Sequence, residues 1–353
     1  MGVTTLTLLL LMLPGPFGQD RSAQNDVVHI PAGEFTMGAS SDDARPDERP
    51  PHRIFVDAFH MSKTEITNRQ FQQFIDATGY VTTAERPVDW EQLKKQVPPG
   101  TPKPDDATLQ PGSMVFVQPP QGTSPNDVAA RWAWVPGTRW SHPEGPNSSV
   151  GTRWRHPVVH VSHEDATAYA LWRGGSLPTE AQWEWAARGG LKAQPFVWGD
   201  APIEPTHANV WQGVFPTKNT GADGHLGTAP VGAFPPNAYG LVDMAGNVWE
   251  WTADRYQHDL YRSRAHAKLT RNPAGPATSS DPRNPHAPDT RVHRGGSFLC
   301  HASYCSSYRP AARMATTPDS AMSHLGFRIV FSEAQRAALI AAETATSTPS
   351  ATH

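Results

Sequence analysis

Proline and glycine interrupt this chain so often that most all-helical architectures are closed to it. There are 35 Pro and 28 Gly in 353 residues, more than one position in six. Proline ends helices and glycine weakens them, so a helical bundle or coiled coil is excluded. Disorder is excluded as well, because 12 Trp, 13 Phe and 7 Tyr are spread through the same segments. A chain that cannot fold is poor in such side chains. The expectation is an α+β protein: a single large, loop-rich domain with little regular secondary structure, pinned by aromatics. The net charge of -3, with no Lys/Arg cluster, leaves no surface for nucleic acid.

Residues Leu6–Leu13 read LTLLLLML, followed by Pro14-Gly15-Pro16. The run is far shorter than the ~20 apolar residues of a membrane span, and it suits the core of a secretory signal peptide. Residues 1–19 are therefore read as a signal peptide and the protein as exported, to a periplasm, a secretory lumen or the medium. Should the run not act as a signal, the location is cytoplasmic. No other segment is apolar enough to span a membrane.

From Val27 the chain reads as structured. HIPAGEFTMG predicts a hairpin and RIFVDAF a strand. Thr67-Asn68-Arg69-Gln70 predicts a capped helix start, with Phe71, Phe74 and Ile75 inward and Gly79 at its end. Residues 81–150 read as a surface insertion held by Trp132, Trp134, Trp140 and, just beyond it, Trp154. Further helices are predicted from Ser162, with Ala166, Ala170 and Leu171 on one face, and from Thr179, with Trp183, Ala186 and Ala187 inward. Trp249-Glu250-Trp251 reads as a strand, GFRIVF as a closing strand, and 334–353 as a flexible polar tail.

Cys300 and Cys305 are the two cysteines of the chain. Five positions apart on a helix they would diverge, but in a turn the thiols can meet. Three chemistries fit such a pair: a disulfide in an exported protein, part of a zinc site, or a dithiol for a soft ion such as Cu(I). The disulfide would close a short loop and stabilise little. Zinc needs more ligands, and His301 is the one near in sequence. Gly295-Gly296-Ser297 precedes the pair, and Tyr304, Tyr308, Arg309 and Arg313 surround it.

The block RVHRGGSFLCHASYCSSYRPAARMATTPDSAMSHLGFR resembles the active-site segment of the formylglycine-generating enzymes, or sulfatase-modifying factors. IPAGEFTMG, ERPPHRIFVDAFHMSKTEITNRQF, HPVVHVSHEDATAYALWRGGSLPTEAQWEWAARGG and ANVWQGVFPTKNTGADGHLGTAPVGAFPPNAYGLVDMAGNVWEW extend the likeness in the same order. Together they cover nearly all of Val27–Phe331. The resemblance implies the sulfatase-modifying factor fold, related to C-type lectins, with residues 27–333 as the catalytic domain. Relatives of that fold without the two cysteines lack the activity.

The resemblance implies oxidation by O2 of a cysteine in a Cys-x-Pro-x-Arg segment of an unfolded sulfatase, giving Cα-formylglycine. It makes Cys300 and Cys305 ligands of a single Cu(I), with the substrate thiol as a third sulfur. Ser297 and Trp249 would line the oxygen and substrate side. Tyr304, His301 and Arg313 would support the site or contact substrate. Trp249 suits core packing equally well, and Arg313 a buried ion pair. Two calcium sites also carry over: Asn209 and Asp223 with the carbonyls of Val210 and His225, and Asp243 and Glu250 with the carbonyls of Gly246 and Val248. Hard oxygen donors in irregular loops suit that ion. The expected partners are the unfolded sulfatase, O2 and an external reductant, and the expected state is a monomer. Ser307 stands where many members have Arg, and Thr317 and His324 where they have Asn, which bears on substrate contact. The rival readings are a non-catalytic sulfatase-binding member of the fold and a calcium-dependent, lectin-like binding module.

Overall fold

A computed structural model describes residues 26–97, 99–124, 127–283 and 288–347. The signal-peptide reading of residues 1–19 falls outside these. Among the described residues no helix is long and apolar enough to cross a membrane.

The predicted helix starts are present with their caps. Asn68–Thr78, His163–Trp172 and Glu180–Arg188 each begin at a reciprocal capping box, made by Thr67 with Gln70, Ser162 with Asp165 and Thr179 with Gln182. Each box satisfies backbone N–H groups that the first turn leaves free. Gly79 and Gly189 close two of the helices at φ of 65° and 57°, a conformation costly for other residues. Phe71 and Phe74 point inward as predicted. On the second helix Tyr169 faces inward with Ala166 and Ala170, whereas Leu171 is 67% exposed. Tyr169 packs between Phe71 and Phe327, so the larger ring takes the inward position.

The strands depart from the sequence reading in two places. HIPAGEFTMG is not a hairpin. Val27–Ile30 pairs with Phe59–Ser62, while Gly33–Met37 pairs with His52–Val56 in another sheet. Pro31 lies between them with no N–H to offer a turn, and its carbonyl accepts from Trp185 Nε1 at 2.8 Å. GFRIVF likewise splits. Leu325–Gly326 joins Trp249–Arg255, and Val330–Ser332 joins Phe59–Ser62. Arg328 sits at the crossing and turns inward to Glu250.

The largest sheet has four strands in the order Arg313–Thr316, Arg291–Arg294, Trp249–Arg255, Leu325–Gly326. Its strands Arg291–Arg294 and Arg313–Thr316 are joined by residues 295–312, the segment that holds both cysteines. The 81–150 insertion is more than surface. It contains the hairpin Gly112–Phe116 with Trp132–Pro136, and it sends Trp140 against Phe71 in the core. Glu333–Ser347 is a helix rather than a flexible tail. Its alanine-rich sequence favours helix, and Leu339 rests on Gly174.

Buried arginines fasten the sheet and helices to one another. Arg294 pairs with Glu180 and Glu184, Arg313 with Glu180, Arg309 with Glu48, and Arg188 with Glu184. In a fold with little regular structure, these pairs hold loops where a backbone ladder would otherwise do so.

Candidate active site

The cysteine loop is closed by backbone contact. Gly295 and Gly296 have φ of 93° and 74°, and a Cβ on Gly296 would lie 2.9 Å from the Ser307 carbonyl carbon and the Tyr308 nitrogen. Only glycine allows the two ends of the loop to touch here. Within the loop Cys300 N–H donates to the Ser297 carbonyl at 2.8 Å. The N–H groups of Tyr304 and Cys305 both donate to the His301 carbonyl, at 2.9 and 2.7 Å. That single turn brings the thiols face to face, with Sγ atoms 2.7 Å apart. Neither cysteine is in a disulfide.

The two sulfurs differ in acidity. The Cys300 hydrogen bond, with help from Ser307, lowers the Cys305 thiol to about 6. Burial pushes the Cys300 thiol up, and the neighbouring Cys305 adds to this. The two thiols titrate as a coupled pair, and their contact favours a state in which they share one proton. Cys300 is sealed in the core beside Trp249, and Cys305 is half-buried at the surface.

The structure separates the other predicted residues into those at the loop and those away from it. Ser297 is fully buried, and its Oγ accepts from Leu299 N–H at 3.3 Å. Trp249 is buried, meets His293 edge-on at 4.6 Å and belongs to the same core cluster as Cys300. His301 turns to Ser303, with Nδ1 2.8 Å from Oγ. Tyr304 is 47% exposed and stacks on Phe215 at 4.5 Å. Arg313 belongs elsewhere. Its guanidinium donates to both Glu180 oxygens at 2.7 and 2.8 Å, is enclosed by Tyr256 and Tyr261, and is a structural ion pair. His324 lies against Trp132 with ring centroids 4.8 Å apart, and Thr317 bonds Ser320.

Sequence reasoning missed Arg45 and Arg131. Arg45 reaches from far upstream, and its Nη2 donates to Ser307 Oγ at 3.1 Å and to the Arg313 carbonyl at 2.8 Å. It places a guanidinium beside the loop where Ser307 itself carries none. Arg131 is 1% exposed, and its guanidinium lies 4.4 Å from the Tyr304 ring centre and 5.3 Å from that of Phe215. Nothing in the local sequence marks either residue.

The donor set at the dithiol is two converging sulfurs, with no third acidic, imidazole or thiol ligand grouped with them among the described residues, and it fits a soft monovalent ion better than a hard one. The proposed calcium loops give two different results. Around Asp243, Glu65 and Glu250 are buried carboxylates with Arg328 as countercharge. Burial raises Asp243 to about 6, and its Oδ1 is a buried atom with no partner. That open oxygen is compatible with an added cation, although among the described residues no three acidic, imidazole or thiol side chains converge on one point. Glu250 itself is already held by Arg328 and by Trp183 Nε1. Asn247 ties the cluster together: its Nδ2 donates to Glu65 at 2.7 Å, and its Oδ1 accepts from Asn209 and Ala229. Around Asp223 both oxygens accept backbone N–H groups, from Val210 and His225, and no buried donor is left over. That loop is satisfied by its own hydrogen bonds, so its fit to calcium is weaker.

A dithiol on a glycine-tightened loop, at the edge of a mixed sheet in a loop-rich α+β frame, defines the class. The Sulfatase-modifying factor enzyme 1-like domain family matches residues 14–333, and the chain belongs to that family. It is 46% identical over 307 residues to the "Formylglycine-generating enzyme" of Thermomonospora curvata, covering 86% of this chain and 92% of that protein. It is 45% identical to the Bos taurus "Formylglycine-generating enzyme" over 312 residues, covering 87% of this chain and 75% of that one. Among solved structures, PvdO from Pseudomonas aeruginosa aligns over 87% of this chain and 94% of its own, with a TM-score of 0.55 and 26% identity.

Proposed function

We propose that this protein is a copper-dependent formylglycine-generating oxidase acting on a cysteine in Cys-x-Pro-x-Arg segments of unfolded sulfatases. The observation that carries the reading is the facing pair of buried Cys300 and half-buried Cys305, in a chain that belongs to the Sulfatase-modifying factor enzyme 1-like family and is similar to formylglycine-generating enzymes. Those two thiolates would hold the Cu(I), which when bound supplies the electron transfer between substrate sulfur and O2.

The chain's own residues hold and orient. The His301 carbonyl fixes the turn that keeps Cys305 beside Cys300. The raised acidity of the Cys305 thiol favours one thiolate in the pair without added base. Cys300 is buried in the core cluster that contains Trp249, so substrate would arrive from the more exposed Cys305 side. Tyr304 offers a half-exposed ring there for the peptide.

The reaction balances when an external thiol reductant supplies two electrons and two protons. The substrate carbon gives up two electrons and its sulfur leaves as hydrogen sulfide. O2 takes all four electrons, and one aldehyde oxygen and one water account for its two atoms. A calcium ion at the Asp243 cluster would offset the surplus of buried carboxylates and so fix the loop that leads into Trp249. The apolar run Leu6–Leu13 supports an encounter with substrate in an exported compartment.

The test is mass spectrometry of a Cys-x-Pro-x-Arg peptide incubated with the protein, Cu(I), a thiol reductant and O2. Aldehyde formation with loss of sulfur is expected, and it should vanish in Cys300→Ser and Cys305→Ser. An unchanged peptide with the copper-loaded protein would reject the reading and favour a non-catalytic, sulfatase-binding role.

A further inference from the structure

Tyr304 ties the dithiol turn to distant parts of the chain. Inside the turn His301 and Ser303 spend their polar groups on each other, with Nδ1 2.8 Å from Oγ. Tyr304, the residue before Cys305, reaches outward instead. Its ring stacks on Phe215 with centres 4.5 Å apart. The Arg131 guanidinium lies 4.4 Å from the Tyr304 ring centre and 5.3 Å from that of Phe215. Arg131 Nη2 also donates to the Tyr304 hydroxyl at 3.3 Å. One guanidinium thus holds both the ring and the hydroxyl.

The neighbours of this contact are themselves anchored. Phe215 is buried in a cluster with Trp211, Phe298 and Leu299, and the Trp211 N–H donates to the Cys300 carbonyl at 3.0 Å. The Arg131 carbonyl accepts the Val117 N–H at 2.9 Å, which fixes its backbone at the entry to the strand Trp132–Pro136. The turn is therefore held at its Cys300 end by Trp211, and at its Cys305 end by Arg131 through Tyr304.

Arg131 differs from the other buried arginines. Arg188, Arg294, Arg309, Arg313 and Arg328 each pair with a carboxylate. Arg131 is 1% exposed, has no carboxylate partner among the described residues, and leaves Nε and Nη1 without a hydrogen bond. A desolvated charge in that state costs the fold stability. What the charge gains is its aromatic contact, and a cation against a ring is held most strongly where water is excluded.

We propose that Arg131 is a positioning residue for the dithiol, acting through Tyr304 to keep residues 300–305 in the turn that brings Cys300 and Cys305 together. The 81–150 insertion thereby reaches the site through one side chain. What the pair does once held rests on the formylglycine reading, whereas the positioning does not.

The experiment reads how well the thiols are held, with neither metal nor sulfatase present. The full protein is equilibrated with reduced and oxidised glutathione. Oxidised glutathione takes two electrons and two protons from the dithiol, leaving one protein disulfide and two glutathione thiols. Mass spectrometry after alkylation of free thiols gives the effective concentration of the pair, which rises as the two groups are better positioned. Arg131→Met should lower it about tenfold, equivalent to about 1.4 kcal/mol, while its unfolding temperature stays at or above that of the wild type. Loss of positioning without loss of stability separates this role from a scaffolding one. Tyr304→Leu, at a half-exposed position, should cause a similar loss, and the double variant no more than the larger single loss. An Arg131→Met value within about twofold of the wild type, or losses that multiply in the double variant, overturns the proposal. Should Arg131→Met not fold, Tyr304→Leu decides: a loss of about tenfold sustains the proposal and an unchanged value rejects it. Cu(I) affinity, by competition with a chelator, should fall in the same variants. A wild type that binds no Cu(I) counts against the formylglycine reading alone and leaves the glutathione equilibrium to judge Arg131.

Discussion

Arg328 grips Glu250 through two contacts of 2.6 Å, and neither side chain reaches solvent. The pair crosses from the split closing segment to the strand that begins at Trp249. It also supplies the countercharge for Glu65 and Asp243. Arg328→Met should therefore strand three buried carboxylates at once. Breaking a buried pair from one side costs about 3–5 kcal/mol. Urea unfolding is the measurement, and saturating calcium should recover part of the loss if the cluster accepts a cation. A loss under about 1 kcal/mol would contradict the assignment of Arg328 as the cluster's anchor.

Paired and unpaired arginines should respond in opposite ways to the same change. Arg313→Met strands Glu180, which Arg313 holds with two hydrogen bonds, and about 3–5 kcal/mol should be lost. Arg131 has no carboxylate partner among the described residues, and its Nε and Nη1 make no hydrogen bond. A buried charge without a partner is unfavourable. Arg131→Met keeps the length of the side chain and removes the charge, so its unfolding midpoint should equal or exceed that of the wild type. A large destabilisation of Arg131→Met would show that its contact with Tyr304 and Phe215 outweighs the burial of its charge.

Asp254 should give the stability curve a slope between pH ~4 and ~7. Burial, reinforced by Glu180, raises its carboxyl to about 7. In the unfolded chain an aspartate ionises near pH 3.9. Over that window the native state holds a proton that the unfolded chain has released, so stability falls as pH rises and levels off above the window. Asp254→Asn keeps an oxygen for the Glu180 N–H, which Asp254 now accepts at 2.8 Å. The variant should lose this part of the slope and be the more stable protein above pH 7. Parallel curves for the two proteins would refute the shift.

On the proposed copper chemistry, Ser297→Ala should separate metal holding from turnover. Its backbone carbonyl, which accepts the Cys300 N–H, survives in Ser297→Ala, so the position of Cys300 should be kept. Cu(I) affinity by competition with a chelator should change little, while kcat should fall by about tenfold or more, as expected when a positioned polar group is lost from the reacting centre. An equal loss of both would place Ser297 in the scaffold of the metal site instead.

Much of the local structure was legible because short-range chemistry fixes it. Thr67 with Gln70, Ser162 with Asp165 and Thr179 with Gln182 mark helix starts by spacing alone. Gly79 and Gly189 mark two ends for the same reason. The strands were less readable. In the segments around Pro31 and Arg328, alternation predicts an extended chain but says nothing about which sheet receives it. The polar composition of 334–353 predicts no element, whereas the alanine content favours the helix Glu333–Ser347, in which Leu339 has a site on Gly174.

By itself the sequence determined that this protein is a loop-rich α+β domain with one dithiol, and it set the glycines that let the dithiol loop close. Those are properties of neighbouring residues: turn, cap and spacing. Tertiary structure alone decided the charges around that loop. It brought Arg45 to Ser307, sent Arg313 to Glu180 rather than to the dithiol, and gave Arg131 the Tyr304 ring and hydroxyl in place of a carboxylate. It also made Glu65 part of the Asp243 cluster. The physical reason is range. A buried charge is governed by whichever partner the fold brings within a few ångströms, and these partners lie tens to hundreds of residues away along the chain.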